Sequence, residues 1–188
     1  MGLDYRYQIR RTLWWRRRRL KMFGVKPADR VLDLGCGDGL DMRLWRELGV
    51  RQVVGVDVMG FPNVSVIGRT EKLPFKNECF DVVWVNSVMY QFRNHLPVLK
   101  EIKRVLKNGG KFCFVEMHDS RWRRLYNWLT LRWGGKRKRA YLAEKAAIES
   151  WSEPKFIKAI EKVGLVRDFL RVDVLSVVGQ YRKVKSSK

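Results

Sequence analysis

An acid followed by glycines at alternate positions is the part of this sequence best suited to chemistry. Asp33 precedes Gly35, Gly37 and Gly39 in an otherwise apolar stretch. Glycines let the backbone turn sharply and let a ligand come close to the main chain. A second apolar run ends at Asp57, where a carboxylate can accept hydrogen bonds from the two hydroxyls of a ribose. These residues predict a nucleoside-binding site.

The glycine spacing separates two kinds of nucleoside ligand. A dinucleotide fingerprint requires a third glycine three residues after the second, and Leu40 stands there. Asp33 would also repel a pyrophosphate, whereas it would attract a ligand with a positively charged amino group. The pattern therefore favours a cationic nucleoside over a dinucleotide.

The same residues resemble motif I of the class I S-adenosylmethionine-dependent methyltransferases, and Asp57 matches the ribose-binding acid of that family. The resemblance continues through residues 71–75, 80–86 and 98–112, which are similar to the ubiquinone/menaquinone-methylase-like branch. It covers about Val31 to Val115, and the rest of the chain agrees with the family only in its predicted order of elements.

The resemblance implies S-adenosylmethionine as methyl donor and S-adenosylhomocysteine as product. Asp33 and the main chain of the glycine turn would hold the methionine moiety, and Met59 or its neighbour would pack on adenine. The residues implied to contact the cofactor are Asp33, Gly35, Cys36, Gly37, Asp57, Val58, Thr70, Glu71, Asn86 and Ser87.

One position departs from the family pattern. Relatives often carry an acid that accepts a hydrogen bond from the adenine amino group, and the aligned residue here is Arg69. An arginine cannot accept that bond. We expect Thr70, Glu71 or a main-chain carbonyl to replace it, or a weaker adenine site.

The implied reaction is a direct in-line methyl transfer in which the protein mainly holds donor and acceptor together. Candidates for a general base are His118 and Glu116 after the fifth predicted strand and Tyr90 after the fourth. The family's Asn/Asp-Pro-Pro-aromatic motif for methylating base amino groups is absent after Asn86. A small-molecule, lipid or protein acceptor is therefore favoured, and an RNA-directed enzyme and a non-catalytic binding module stay open as alternatives.

The elements that would position these residues form an α/β pattern. Apolar runs predict strands at 30–34, 52–57, 64–67, 79–86 and 111–117, and helical periodicity is found at 39–49, 95–107 and 152–164. The final runs, 165–172 and 174–183, are too close for a crossover and predict an antiparallel hairpin. We predict one domain over residues 1–188, built as a doubly wound, mostly parallel seven-stranded sheet with an antiparallel last strand.

Cysteine and hydrophobic content constrain the setting. Cys36, Cys79 and Cys113 are scattered and, together with two histidines, form no metal-ligand cluster, so no metal is expected. No apolar run reaches the roughly 18 residues of a transmembrane helix. We expect a cytoplasmic protein, with a peripheral position at a membrane surface as the alternative that its positive charge favours.

The formal net charge of +21 is concentrated in two segments. One is a basic N-terminal helical arm, residues 1–28, with Arg16, Arg17, Arg18 and Arg19 beside two tryptophans. The other is a basic helical insertion or lid, residues 119–151. Its basic residues between 120 and 143 are Arg121, Arg123, Arg124, Arg132, Lys136, Arg137, Lys138 and Arg139.

Three interpretations of these segments stay open. Basic residues mixed with tryptophan are typical of a helix on an anionic membrane surface. They are also typical of a nucleic-acid groove. The plain alternative is an apolar stripe packed on the core with solvated arginines. We favour packing for the aromatic stripe at 122–133, and an anionic partner for the arginines at 16–19, which cannot all share one helix face.

Overall fold

The sheet predicted from the apolar runs is present in the computed structural model, which describes residues 5–117, 152–173 and 176–185. Among these residues no helix is both long and apolar enough to cross a lipid bilayer. The helices are α1 (Tyr5–Met22), α2 (Leu40–Glu47), α3 (Leu96–Val105) and α4 (Glu153–Lys162). The strands are β1 (Arg30–Leu34), β2 (Gln52–Asp57), β3 (Val66–Ile67), β4 (Phe80–Asn86), β5 (Leu106–Met117), β6 (Leu165–Val172) and β7 (Ser176–Lys183).

The strands form one seven-stranded sheet in the order β3-β2-β1-β4-β5-β7-β6. The first five are parallel to their neighbours, whereas β7 runs antiparallel between β5 and β6. The doubly wound, mostly parallel sheet and its antiparallel end are therefore confirmed. Because the carboxyl ends of the parallel strands share one edge, the residues that follow β1, β2, β4 and β5 meet there.

The two faces of the sheet bury separate apolar clusters. Alternation along β4 sends Val83 and Val85 to the face covered by α3 and α4, and Trp84 to the face covered by α1 and α2. On that second face, the Trp84 ring contacts Phe23 at 5.1 Å and Trp45 at 5.7 Å between centroids. Trp84 thus joins α2 and the residue that directly follows α1 to the strand that leads into the site.

Helix α1 is attached to the second face by apolar packing and ion pairs. Leu20 and Phe23 are each 1% exposed. Three arginines of the run reach acids elsewhere in the chain, and these partners were not foreseen from the sequence. Arg16 contacts Asp41 at 2.8 Å, Arg17 contacts Glu47, and Arg19 contacts Asp173 at 3.4 Å and Ser176 at 2.8 Å.

The boundary between α3 and β5 differs from the prediction. The sequence predicts a helix over 95–107, with Gly109 and Gly110 shortly after it as residues that would end it. Instead α3 ends at Val105, because Leu106 has extended backbone angles and pairs with Phe80 of β4. Gly109, at φ +78°, then forms a turn before the ladder resumes at Lys111. The third strand is also shorter than predicted, at two residues.

Candidate functional site

The glycine turn after β1 forms the base of the site. Gly35, at φ +73°, lies so close to Val88 that an added Cβ would come within 2.5 Å of its Cγ2. For Gly37, at φ +52°, no atom of the described residues beyond its chain neighbours lies within 4 Å of such a Cβ. The first glycine therefore allows close packing against the loop after β4, and the second leaves open space above the main chain.

Asp57 ties this turn to the end of β2. Its Oδ2 accepts a hydrogen bond from the Gly37 amide at 2.9 Å, and its Oδ1 accepts one from the Met59 amide at 2.9 Å. A carboxylate can accept about four hydrogen bonds. Asp57 therefore keeps capacity for two ligand hydroxyls while its orientation is fixed by the backbone.

A cleft of about 650 Å³ lies over the turn and Asp57, within the range of small-molecule sites. Val58, Met59 and Phe61 present apolar side chains to it that are 61%, 59% and 40% exposed. The described residues that line it are Gly35, Gly37, Asp57, Val58, Met59, Phe61, Arg69, Thr70, Glu71, Ser87, Val88, Gln91 and Phe92.

The residues beside Arg69 place hydrogen-bond acceptors at the cleft. Arg69 is directed outward, with 79% of its side chain exposed, and contacts Glu71 at 3.4 Å. Thr70 is buried and lies 3.3 Å from the same carboxylate. Both Thr70 and Glu71 line the cleft, so acceptor oxygens are available beside Arg69.

Three residues predicted to contact the cofactor do not line this cleft. Asp33 is 2% exposed beneath the turn, and burial, then the charge of Asp41, raises its pKa well above the ordinary value. The Cys36 side chain packs against Gly55, and burial raises its pKa to about 12. Asn86 lines a neighbouring cavity instead. The cleft residues not anticipated from the sequence are Phe61, Val88, Gln91 and Phe92, which carry no recognisable local motif.

This neighbouring cavity, of about 280 Å³, lies between the strand ends and α1. Its lining residues are Trp15, Arg16, Arg19, Leu20, Asp41, Trp84, Asn86, Ser87, Val115, Glu116 and Ser176. Ser87 lines both this cavity and the cleft. Ser87 holds an unusual φ of +59° for a non-glycine residue, and its amide donates to the carbonyl of Val115 at 2.8 Å. The backbone of β5 therefore fixes the residue that the two cavities share.

Asp41 organises the wall of this second cavity. It is 5% exposed and accepts hydrogen bonds from Trp84 Nε1 at 3.0 Å, Asn86 Nδ2 at 2.6 Å and Arg16 at 2.8 Å. From the sequence, this acid has the ordinary role of favouring the positive end of a helix. Its burial under α1 gives it a second role, because it links the arm to the end of β4.

The candidate bases lie in different surroundings. Glu116 is 1% exposed, and its Oε1 accepts the amides of Val88 at 2.9 Å and Met89 at 2.8 Å. It therefore positions the loop after β4. Tyr90 is buried in a short 3₁₀ helix of that loop. His118 and the insertion at 119–151 lie outside the described residues.

Glu116 gives a prediction about stability and pH. Burial raises its pKa from 4.5 to about 7. Between these values the folded chain holds a proton that the unfolded chain has lost, so stability falls as pH rises and is level above about pH 7. The loss over this window is on the order of 3 kcal/mol. Glu116→Gln mimics the protonated acid, and urea unfolding from pH 4.5 to 8 should show a smaller slope in the variant.

Asp33, whose pKa is also raised, makes stability fall with pH in the same direction. Because wild type and Glu116→Gln both contain Asp33, its contribution cancels when their stabilities are subtracted. Parallel curves for wild type and Glu116→Gln would contradict the assignment of this pH dependence to Glu116.

Known methyltransferases are similar to this chain over the region that contains the glycine turn and Asp57. Residues 32–114 match the family model described as "Methyltransferase domain". The chain is 31% identical over 121 residues to the demethylmenaquinone methyltransferase of Lysinibacillus sphaericus, covering 56% of this chain and 52% of that protein. It is 34% identical over 125 residues to the 2-phytyl-1,4-naphtoquinone methyltransferase of Nostoc sp., covering 55% and 53%. The chain thus spans about half the length of these relatives.

Solved structures share the fold at low sequence identity. A geranyl diphosphate C-methyltransferase from Streptomyces coelicolor, in complex with S-adenosyl-L-homocysteine, superposes with a TM-score of 0.69 at 16% identity, covering 90% of this chain and 78% of that one. A SAM-dependent methyltransferase from Methanosarcina mazei gives 0.65 at 18% identity, covering 88% and 97%. Residues 32–114 are therefore similar to a methyltransferase domain, and the seven-stranded sheet has the fold of these solved methyltransferases.

Proposed function

We propose that this chain is an S-adenosylmethionine-dependent methyltransferase that acts on a small or lipid-like acceptor. The observation that carries the proposal is that Ser87 lines both a nucleoside-sized cleft and a second cavity, so the two lie on either side of one residue. A donor in the first and an acceptor in the second would lie side by side, and such proximity is what a direct group transfer needs.

The residues of the cleft fit S-adenosylmethionine. Asp57 has free acceptor capacity for a ribose, and the open space over Gly37 allows the ligand to approach the main chain. Val58, Met59 and Phe61 offer an apolar wall for adenine, with Thr70 and Glu71 beside it as acceptors. When bound, the sulfonium cofactor supplies an electrophilic methyl group. The role left to this chain is to hold the two ligands and exclude water.

The second cavity supports an acceptor with an apolar or aromatic body. Trp15, Leu20, Trp84 and Val115 contribute apolar surface to its wall. Two relatives are named for methylating a demethylmenaquinone and a phytyl naphthoquinone, which are compounds of this kind. We therefore infer a quinone-like acceptor as the first class to test.

The test combines binding and turnover. Calorimetry measures affinity for S-adenosylmethionine, and transfer of a labelled methyl group is followed with a water-soluble demethylated naphthoquinol and with RNA. We expect transfer to the quinol. Trp15→Ala should lower that transfer by about tenfold, since it removes one wall of an acceptor pocket, with cofactor affinity unchanged. Trp14→Ala is the matched control, because Trp14 lines neither cavity.

Two results would overturn the proposal. Transfer to RNA but not to the quinol would favour the RNA-directed alternative. Cofactor binding without transfer to either acceptor, or no cofactor binding at all, would favour a non-catalytic module.

A further inference from the structure

The outward side of α1 has an unusual mixture of exposed side chains. Trp14, Trp15 and Met22 are 54%, 51% and 38% exposed, and the exposed bases Arg18 and Lys21 lie among them. We call these five residues the outer α1 face. The two indole rings contact each other at 4.6 Å, and the Arg18 guanidinium lies 5.6 Å from the Trp14 centroid.

The apolar and basic surface continues beyond the helix. Trp15 and Met22 line a shallow cavity of about 500 Å³ together with Arg171 and Val172 at the end of β6, and Val172 is 50% exposed. Exposed apolar side chains and basic side chains thus lie next to one another on both α1 and β6. Contiguous surface of this kind marks a site of interaction.

The internal ion pairs decide which anionic partner fits this surface. Arg16, Arg17 and Arg19 are paired with acids of this chain, so Arg18 remains as the outward base of the four-arginine run. A groove that binds nucleic acid would need a row of lysine or arginine side chains, not paired with acids of this chain, along successive phosphates. Methionine and valine would also add nothing to base stacking. A surface with a few basic side chains and several apolar ones is instead typical of a helix that lies on a bilayer.

We propose that the outer α1 face binds the surface of an anionic lipid bilayer. Tryptophan prefers the headgroup region, where its ring is half-buried and its N–H can bond to polar groups. Met22 and Val172 would enter the acyl boundary, while Arg18, Lys21 and Arg171 contact lipid phosphates. The formal net charge of +21 adds a long-range attraction to such a surface.

This position would also place the second cavity at the membrane. Trp15 and Arg19 line both that cavity and the shallow cavity on the outer surface. A lipid-like acceptor could then enter without crossing water. This last step rests on the proposed function, whereas binding to the bilayer does not.

The test is sedimentation of the full chain with vesicles of phosphatidylcholine alone or mixed with phosphatidylglycerol. We expect binding to the anionic vesicles and little to the neutral ones. Trp14→Ala/Met22→Ala should weaken binding by about tenfold, and Arg18→Gln/Lys21→Gln by a similar factor. The apolar control is Ile67→Ala, exposed by 68% at the opposite edge of the sheet. The charge control is Lys72→Gln/Lys100→Gln, two exposed lysines elsewhere.

Equal binding to neutral and anionic vesicles would overturn the proposal. The same holds if the charge control loses as much binding as Arg18→Gln/Lys21→Gln, because net charge alone would then explain the association. RNA binding that has a steep salt dependence and is lost in Arg18→Gln/Lys21→Gln, while vesicle binding is unchanged, would assign this surface to nucleic acid. Because vesicle binding is measured without cofactor or acceptor, it can fail or succeed independently of methyl transfer.

Discussion

Asp57→Ala is expected to weaken the binding of S-adenosylmethionine by about 100-fold or more. The Asp57 carboxylate keeps acceptor capacity for two ribose hydroxyls, and hydrogen bonds to a charged group contribute roughly 1.5–3 kcal/mol each. Each 1.4 kcal/mol or so corresponds to a factor of ten in affinity. The same substitution removes the bonds that hold the amides of Gly37 and Met59, so the cleft itself also loses order. Calorimetric titration of both proteins measures the difference.

Two variants show whether the loss is specific to this carboxylate. Asp38→Ala removes an exposed acid from the same turn and should leave affinity within a factor of two or three. Asp57→Asn preserves the shape and one acceptor oxygen, and its affinity should lie between those of wild type and Asp57→Ala. Thermal melting of each variant separates loss of binding from loss of folding. Equal affinity in wild type and a folded Asp57→Ala would contradict the proposed cofactor site.

Asp41→Ala is expected to lower the free energy of unfolding by about 3 kcal/mol. The substitution leaves the buried indole N–H of Trp84 and the amide of Asn86 without their acceptor and removes the counterion of Arg16. For a chain of this size, each kcal/mol shifts the melting temperature by about 2–4 °C, so a decrease of roughly 6–12 °C is expected. Urea unfolding and differential scanning calorimetry measure the two quantities.

The matched control is Glu47→Ala, which removes another acid of α2 that pairs with the same arm. Its partner Arg17 is half exposed, and an exposed ion pair contributes about 0–1 kcal/mol. Asp41→Asn should fall between the two, because it retains one acceptor but not the charge. Equal destabilisation by Asp41→Ala and Glu47→Ala would mean that the buried contacts of Asp41 contribute no more to the free energy of unfolding than an exposed ion pair.

The parts of the fold that could be predicted from sequence are those fixed by local pattern. The bounds of β1 and β2 are as predicted, because continuous apolar runs end there at a glycine turn and at an acid. The turn itself could be predicted because Gly35 and Gly37 adopt positive φ, which other residues rarely do. The resemblance of these residues to motif I of the methyltransferases then led to S-adenosylmethionine as the expected cofactor.

The features that could not be predicted depend on contacts between distant residues. Asp41 is buried because Arg16, 25 residues earlier in the chain, packs over it. Arg19 meets Ser176 across 157 residues. A run of arginines, taken alone, indicates an anionic partner outside the chain. Its acidic partners within the chain can be identified only once the position of α1 against the sheet is known. The early end of α3 has a similar origin, since Leu106 pairs with Phe80 of another strand.

The position of Trp15 and Leu20 in the wall of the second cavity makes α1 a participant in any binding there. By thermodynamic reciprocity, a ligand that contacts α1 favours its docked state by the same free energy by which docking favours the ligand. Acceptor binding should therefore slow hydrogen exchange of the α1 amides. A weakened Arg16–Asp41 pair should in turn reduce acceptor affinity, even though neither side chain need touch the reacting atoms. Under the proposed function, the arm would therefore contribute free energy to acceptor binding in addition to covering the cavity.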